Sequence, residues 1–216
     1  MIERHEYGTL EQRWLGRQAY GSVWELLQHR AAEITDGHGR EVIFSCEHDP
    51  VYTTGKRGVD NRLGIELPAP VVYSDRGGEM TFHGPGQIML YPVIYLRKRE
   101  IGVKQYVHIL EQSCIDMLKE LGVDSGRHCG FPGVWTEQGK IAALGIRVTR
   151  GVAYHGMALN VNVDARWFAA INPCGLQASA VSLSDFIKPP PLPGLAECWQ
   201  HCLNDLLSRQ APFTGK

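Results

Sequence analysis

The sequence predicts an α+β fold in which helices pack on a mixed, largely antiparallel sheet. Segments with helical spacing of apolar residues are interspersed with short apolar strands, and the two do not alternate strictly as in βαβ proteins. The chain has 216 residues, of which 44% are hydrophobic, and this suffices for the core of one fairly large domain. We therefore expect a single domain over residues 1–216.

Three helices are expected. The first begins at a capping box formed by Ser22 and Glu25, because these side chains can satisfy backbone N–H groups of a first turn. The second covers residues 104–121, where apolar residues including Cys114 recur at helical spacing. The third covers residues 195–207 and follows a run of three prolines, which would end any preceding element.

The expected strands are short and mostly apolar. Residues 41–46 form one, and a second lies within residues 86–96, where Pro92 is expected to interrupt it. Residues 140–148 and 152–163 are separated by a short turn, so we expect them to be antiparallel neighbours.

Charge and composition narrow the function classes. Lys and Arg number 22 and Asp and Glu number 23, so the net charge is −1, whereas nucleic-acid binders usually have a basic excess. No apolar run reaches the ~18 residues of a transmembrane helix, and the first residues lack the apolar stretch of a secretory signal. We therefore expect a cytoplasmic protein that does not bind nucleic acid or membrane, with its six cysteines mostly free thiols.

The first segment that indicates chemistry is RGGEMTFHGPGQ, residues 76–87. Its four glycines and one proline allow sharp bends and close approach of a ligand to the backbone. Exposed N–H groups near Gly77 and Gly78 are candidate donors to a carbonyl oxygen or an anion. The segment lacks the Walker pattern, and an ordinary glycine-rich turn is the alternative interpretation.

Two further residues are candidates for catalysis. Cys174 lies between Pro173 and Gly175, a constrained turn that would expose a nucleophilic thiolate. Lys140 begins an apolar strand. It is either a solvated residue at a sheet edge or a buried amine able to act as a base. His155 is either a core residue or part of the site.

Four segments together resemble one family. RGGEMTFHGPGQ (76–87), GVWTEQGKIAALGIRV (133–148), HGMALNV (155–161) and INPCGL (171–176) occur in the order and spacing of the octanoyltransferases of lipoate biosynthesis. The resemblance covers most of the chain. It implies a fold similar to the catalytic domains of biotin and lipoate protein ligases.

The resemblance also implies a reaction without a cofactor or a metal. An octanoyl group moves from acyl carrier protein to an enzyme cysteine, and then to the lysine amine of a lipoyl domain. Lipoyl domains occur in 2-oxoacid dehydrogenase acyltransferase subunits and in the glycine cleavage H protein. The acyl-bearing cysteine corresponds to Cys174 and its partner lysine to Lys140. The substrate-binding positions correspond to Arg76, Gly77, Gly78, Glu79, Met80, Thr81, Phe82, His83, Ala143, Leu144, Gly145, Gly156, Met157 and Ala158.

Three alternatives are kept. An ATP-dependent lipoate or biotin protein ligase would share the fold but would not need Cys174. A non-catalytic module that binds lipoyl domains or carrier protein would need neither Cys174 nor Lys140. A metal site would use His128 with Cys129, or Cys198 with Cys202. Docking of acidic partners on basic residues is a further expectation, with Arg97, Lys98, Arg99, Lys104 and Arg147 as candidates.

Overall fold

A computed structural model describes residues 9–56, 66–171 and 180–209 of the chain. Within these residues it contains ten β-strands and three α-helices. None of these helices is long and apolar enough to span a bilayer. The elements are β1 (Glu11–Gln18), α1 (Tyr20–Thr35), β2 (Val42–His48), β3 (Val51–Thr54), β4 (Val71–Tyr73), β5 (Thr81–His83), β6 (Gln87–Tyr95), α2 (Val103–Glu120), β7 (Gly126–His128), β8 (Phe131–Thr136), β9 (Gly139–Thr149), β10 (Val152–Asn160) and α3 (Leu192–Ser208).

Seven strands form the central sheet in the order β1-β2-β6-β10-β9-β8-β7. The β1–β2 pair is parallel, and the other neighbours are antiparallel. A small second sheet has the order β4-β3-β5. This architecture confirms the predicted α+β class with a mixed, largely antiparallel sheet, including the pairing of β9 with β10.

The central sheet buries a core on each face. On one face α1 packs against residues such as Phe44, Tyr91 and Tyr154. On the other face α2 and α3 cover residues such as Leu90 and Leu159. Neighbouring residues on one strand reach opposite faces because side chains alternate along a strand.

The predicted start of α1 is wrong. The helix begins at Tyr20 after Ala19, and no side chain caps its N-terminus. Ser22 therefore lies inside the first turn rather than at the cap. The helix is held instead by tertiary packing, since Tyr20, Val23 and Leu27 are buried.

The predicted interruption at Pro92 is also wrong, because β6 continues through this residue and pairs with Ile43 of β2. The pairing is irregular instead along the opposite edge of β6, where this strand meets β10. The pairing of β6 with β10 stops at Ala153 and resumes at Met157. Proline has no N–H to donate to a neighbouring strand, so the gap in the ladder lies beside it.

Candidate active site

A cavity of about 410 Å³ lies between the central sheet and the glycine-rich segment 76–83. It is on the α1 side of the sheet, because Met89, Tyr91 and Ala158 line it and also pack in the α1 core. The predicted substrate-binding residues that line the cavity are Arg76, Gly77, Gly78, Glu79, Met80, Thr81, His83, Ala143, Leu144, Gly145, Gly156, Met157 and Ala158. Phe82 does not line it: its side chain is buried and stacks on Trp167 at 4.7 Å.

The floor of the cavity is made of small residues on adjacent strands. Ala143 of β9 is directly opposite Ala158 of β10, and Gly145 is opposite Gly156. Residues two apart on a strand share a face, so these four positions form one shallow patch. Larger side chains here would occupy the space between sheet and segment 76–83.

Segment 76–83 forms the roof and is anchored by Arg76. The guanidinium is buried and donates hydrogen bonds to the carbonyl oxygens of Thr53 at 2.6 Å, Glu79 at 2.7 Å and Gly77 at 2.9 Å. The N–H of Gly77 donates to Ile146 at 2.9 Å. That N–H is therefore engaged with β9. Of the two glycines, Gly78 is left as the candidate N–H donor to a carbonyl oxygen or an anion of the substrate.

Asp75, which the sequence did not single out, ties the roof to two other elements, α1 and β10. Its carboxylate accepts hydrogen bonds from Trp24 Nε1 at 2.9 Å, His155 Nε2 at 2.8 Å and the Tyr154 hydroxyl. Partial burial alone would raise the pKa of Asp75, but the hydrogen bonds from His155 and Tyr154 hold that pKa well below its usual range. No local pattern predicts this residue, because its three partners are distant in sequence.

His155 lines the cavity and holds an unusual backbone conformation. Its φ is +59°, a value that is uncommon for residues other than glycine. Burial lowers the pKa of His155 although Asp75 counteracts it. Because a carboxylate oxygen can only accept, Nε2 carries a proton and donates it to the hydrogen bond with Asp75. The hydrogen bond to Asp75 fixes the side chain of this strained residue beside Gly156 of the floor.

Two more buried histidines lie at the α1 end of the site. His48 contacts the carbonyl oxygen of Gln18 through Nδ1 and the Tyr91 hydroxyl through Nε2, both at 2.9 Å. A carbonyl can only accept, so Nδ1 carries the proton and Nε2 accepts from Tyr91. The ring of His83 stacks on that of Tyr20 at 5.9 Å. Burial lowers the pKa of His48 to about 4 and the pKa of His83 well below its ordinary value.

These histidines predict a pH-dependent stability. Their folded pKa values lie below the unfolded value near ~6.5, so their contribution is present above pH ~6.5 and is lost as the pH falls toward their folded pKa values. For His48 alone, lowering the pH from 6.5 to 5 costs roughly 2 kcal/mol of unfolding free energy. Urea titrations at pH 7 and pH 5 measure this loss. Replacing His48 with Gln should reduce the pH dependence of the unfolding free energy by about one proton, whereas replacing the exposed His201 with Gln should not. An equal pH dependence for His48→Gln and wild type would contradict the assignment.

Lys140 lies at the start of β9 and lines the cavity. It is half-buried, and so lies between the two alternatives drawn from the sequence, a solvated residue at a sheet edge and a fully buried amine. Its Nζ is 5.2 Å from the centre of the Trp135 ring, a cation–π distance. Its carbonyl oxygen accepts the N–H of Val181 at 3.1 Å, and its backbone pairs with Ala180. The predicted nucleophile Cys174 lies outside the described residues.

The described residues do not support the alternative metal sites. No group of three or more His, Cys, Asp or Glu side chains among them is arranged to hold a metal ion. Cys198 and Cys202 both face Glu120, at 3.3 and 3.8 Å. Among the docking candidates, Arg99 is buried and donates to Glu41 at 2.5 Å, so its charge is compensated inside the protein.

Comparison with known proteins identifies the family. The family of lipoyl protein ligase A/B catalytic domains matches residues 20–204. A protein from Thiobacillus denitrificans named octanoyltransferase is 45% identical over 174 residues, which are 81% of this chain and 79% of the relative. Another octanoyltransferase, from Shewanella piezotolerans, is 42% identical over 77% of this chain and 76% of the relative. A crystal structure of lipoate-protein ligase A bound with ATP has a TM-score of 0.73 at 13% identity over 93% of this chain and 86% of that chain, which confirms the predicted fold. The chain belongs to the lipoyl protein ligase A/B catalytic domain family, in which relatives named octanoyltransferase match most of its length.

Proposed function

We propose that this protein is an octanoyltransferase that uses a Cys174–Lys140 dyad. It takes an octanoyl group from octanoyl-acyl carrier protein onto Cys174 as a thioester. It then transfers the group to the lysine amine of lipoyl domains in 2-oxoacid dehydrogenase acyltransferase subunits and in the glycine cleavage H protein. The proposal rests mainly on the position of Lys140, at the wall of a cavity whose floor is Ala143, Gly145, Gly156 and Ala158.

The cavity suits an acyl chain. Its floor has no side chain larger than a methyl group, so a flexible hydrocarbon can lie flat between sheet and roof. Burial of six methylenes stabilises the bound octanoyl group by roughly 5 kcal/mol at ~0.8 kcal/mol each. The proposed substrate-binding residues act mainly through shape, since the Arg76 guanidinium is occupied by carbonyl oxygens of the protein.

In the first half-reaction, the Cys174 thiol loses its proton to the Lys140 amine and the thiolate attacks the thioester carbonyl. The tetrahedral intermediate expels the carrier thiolate, which takes the proton from Lys140. Backbone N–H groups at Gly78 or at the Cys174 turn are the proposed oxyanion donors. Cys174 is six positions before Ala180, whose backbone pairs with Lys140, and this supports the pairing of the two residues.

In the second half-reaction, the lysine amine of the lipoyl domain attacks the Cys174 thioester. Lys140 accepts a proton from that amine and delivers it to the departing Cys174 thiolate. An amide replaces a thioester, so the transfer is downhill and requires neither ATP nor a metal. We further propose that residues 1–216 form one domain and act in the cytoplasm, where carrier-bound octanoate and lipoyl domains would both be present.

The test is a two-stage transfer without ATP. The protein is incubated with octanoyl-acyl carrier protein, and intact mass and peptide mapping locate the adduct. An unmodified lipoyl domain is then added. We expect one octanoyl group on Cys174, followed by its appearance on the lipoyl-domain lysine. A protein that never carries the acyl group, or transfer that occurs only with ATP, would contradict the proposal.

A further inference from the structure

A buried carboxylate on α2 contacts β8, the strand that is paired with the Lys140 strand β9. Glu111 is 6% exposed, and its Oε1 accepts the N–H of Gly133 at 2.9 Å. Its Oε2 accepts Arg127 Nε at 3.0 Å. Burying a carboxylate costs free energy unless it is paired and hydrogen-bonded, and both requirements are met here. Two partners on β7 and β8 thus hold this carboxylate at one defined place under the site.

Gly133 in turn lies directly against the stem of Lys140. Its φ is +123°, a conformation that favours glycine. A Cβ on Gly133 would come within 2.6 Å of Lys140 Cε and 3.3 Å of Lys140 Nζ. The register between β8 and β9 shifts between Val134 and Trp135, so the backbone is irregular next to this glycine.

The Lys140 side chain therefore runs between two supports. The Gly133 backbone lies against its last methylene, and the Trp135 ring lies 5.2 Å from Nζ. A lysine stem has several rotatable bonds and therefore loses rotamer entropy when it is held in one conformation. A displacement of ~1 Å at a reacting group can cost ~10²-fold in rate. The placement of the Gly133 backbone is therefore expected to matter for proton transfer.

We propose that Glu111 is a positioning residue for the acyl-transfer reaction. By accepting the Gly133 N–H, it fixes the backbone against which Lys140 rests, and so sets where the Lys140 amine meets the thiol proton. This inference rests on the proposed role of Lys140. Glu111 does not line the cavity, and its effect on the reaction is transmitted through Gly133.

A structural role alone makes a different prediction. If Glu111 only stabilises the α2–β8 contact, its replacement should change activity equally whether or not Lys140 is present. If it acts through Lys140, its effect should disappear once Lys140 is removed, because coupled residues are non-additive in a double-mutant cycle.

The experiment measures single-turnover acylation by octanoyl-acyl carrier protein. The variants are wild type, Glu111→Leu, Glu111→Asp, Glu111→Gln and Lys140→Ala, together with the double variants of each Glu111 change and Lys140→Ala. We expect Glu111→Leu to be slowed about 10- to 100-fold and Glu111→Asp several-fold. Glu111→Gln keeps an acceptor oxygen for Gly133 and should recover most of the rate. In the Lys140→Ala background each Glu111 change should alter the rate by less than about twofold.

Urea unfolding of each variant verifies that it is folded, and Glu120→Gln is the control because Glu120 is an exposed carboxylate on the same helix. If Glu111→Leu does not fold, Glu111→Asp carries the test. Equal rate losses in both backgrounds, or wild-type rates for Glu111→Leu or for folded Glu111→Asp, would overturn the inference while leaving the Lys140 proposal intact. A wild-type acylation rate for Lys140→Ala would overturn both.

Discussion

Replacing Cys174 with alanine is expected to abolish the octanoyl-enzyme adduct, and replacing Lys140 with alanine is expected to slow its formation by about 10²- to 10⁴-fold. The first change removes the only atom proposed to bond to the acyl carbon. The second leaves the thiol without its proton acceptor, and at pH ~7 only a few per cent of an ordinary thiol is ionised. Intact-mass spectrometry after timed incubation with octanoyl-acyl carrier protein measures both effects.

The chain offers matched controls for this prediction. Cys129 is an exposed free cysteine beside Gly130, which lines the cavity, so Cys129→Ala should be acylated as fast as wild type. Lys140→Arg retains a positive charge but cannot give up its proton, so it should be nearly as slow as Lys140→Ala. An octanoyl adduct that persists on Cys174→Ala would show that another residue carries the group.

Replacing Gly145 with valine is expected to lower kcat/KM for the octanoyl donor by at least about 50-fold. A Cβ at this position would lie 2.8 Å from the Gly77 carbonyl oxygen and 3.3 Å from Arg76 Cδ. Valine must therefore either push the roof away or fill the floor between Ala143 and the roof. Loss of contact for about half of the acyl methylenes, ~0.8 kcal/mol each, corresponds to a change of that size. Steady-state kinetics with octanoyl-acyl carrier protein gives the value.

Gly126→Val is the appropriate comparison for Gly145→Val. Gly126 lies on β7 of the same sheet, and a Cβ there meets no atom within 4 Å, so this variant should retain its activity. A donor with a four-carbon acyl chain should suffer less from Gly145→Val than the octanoyl donor does. Wild-type kinetics for folded Gly145→Val would mean that the acyl chain does not lie between Gly145 and segment 76–83.

The elements that the sequence predicted well are those whose pattern is local. Helix α2 and strands β9 and β10 repeat apolar residues at a fixed spacing, and this spacing is enough to define them. Strand β1 was missed because most of its residues are polar and its side chains are exposed or only partly buried, so no apolar alternation marks it. Strands β4 and β5 have three residues each, too few for a period to show. The capping box failed because tertiary packing of Tyr20 starts α1 two residues earlier than Ser22.

The sequence by itself determined the fold class and, among the described residues, the segments that line the cavity, because residues 76–87, 133–148 and 155–161 are each an unbroken stretch of the chain. Only the tertiary structure decided how these segments meet. It placed Gly145 opposite Gly156, put Lys140 at the cavity wall, and brought distant donors to Asp75 and Glu111. These contacts depend on strand register and on helices packed from far along the chain, and no residue's neighbours in sequence carry that information.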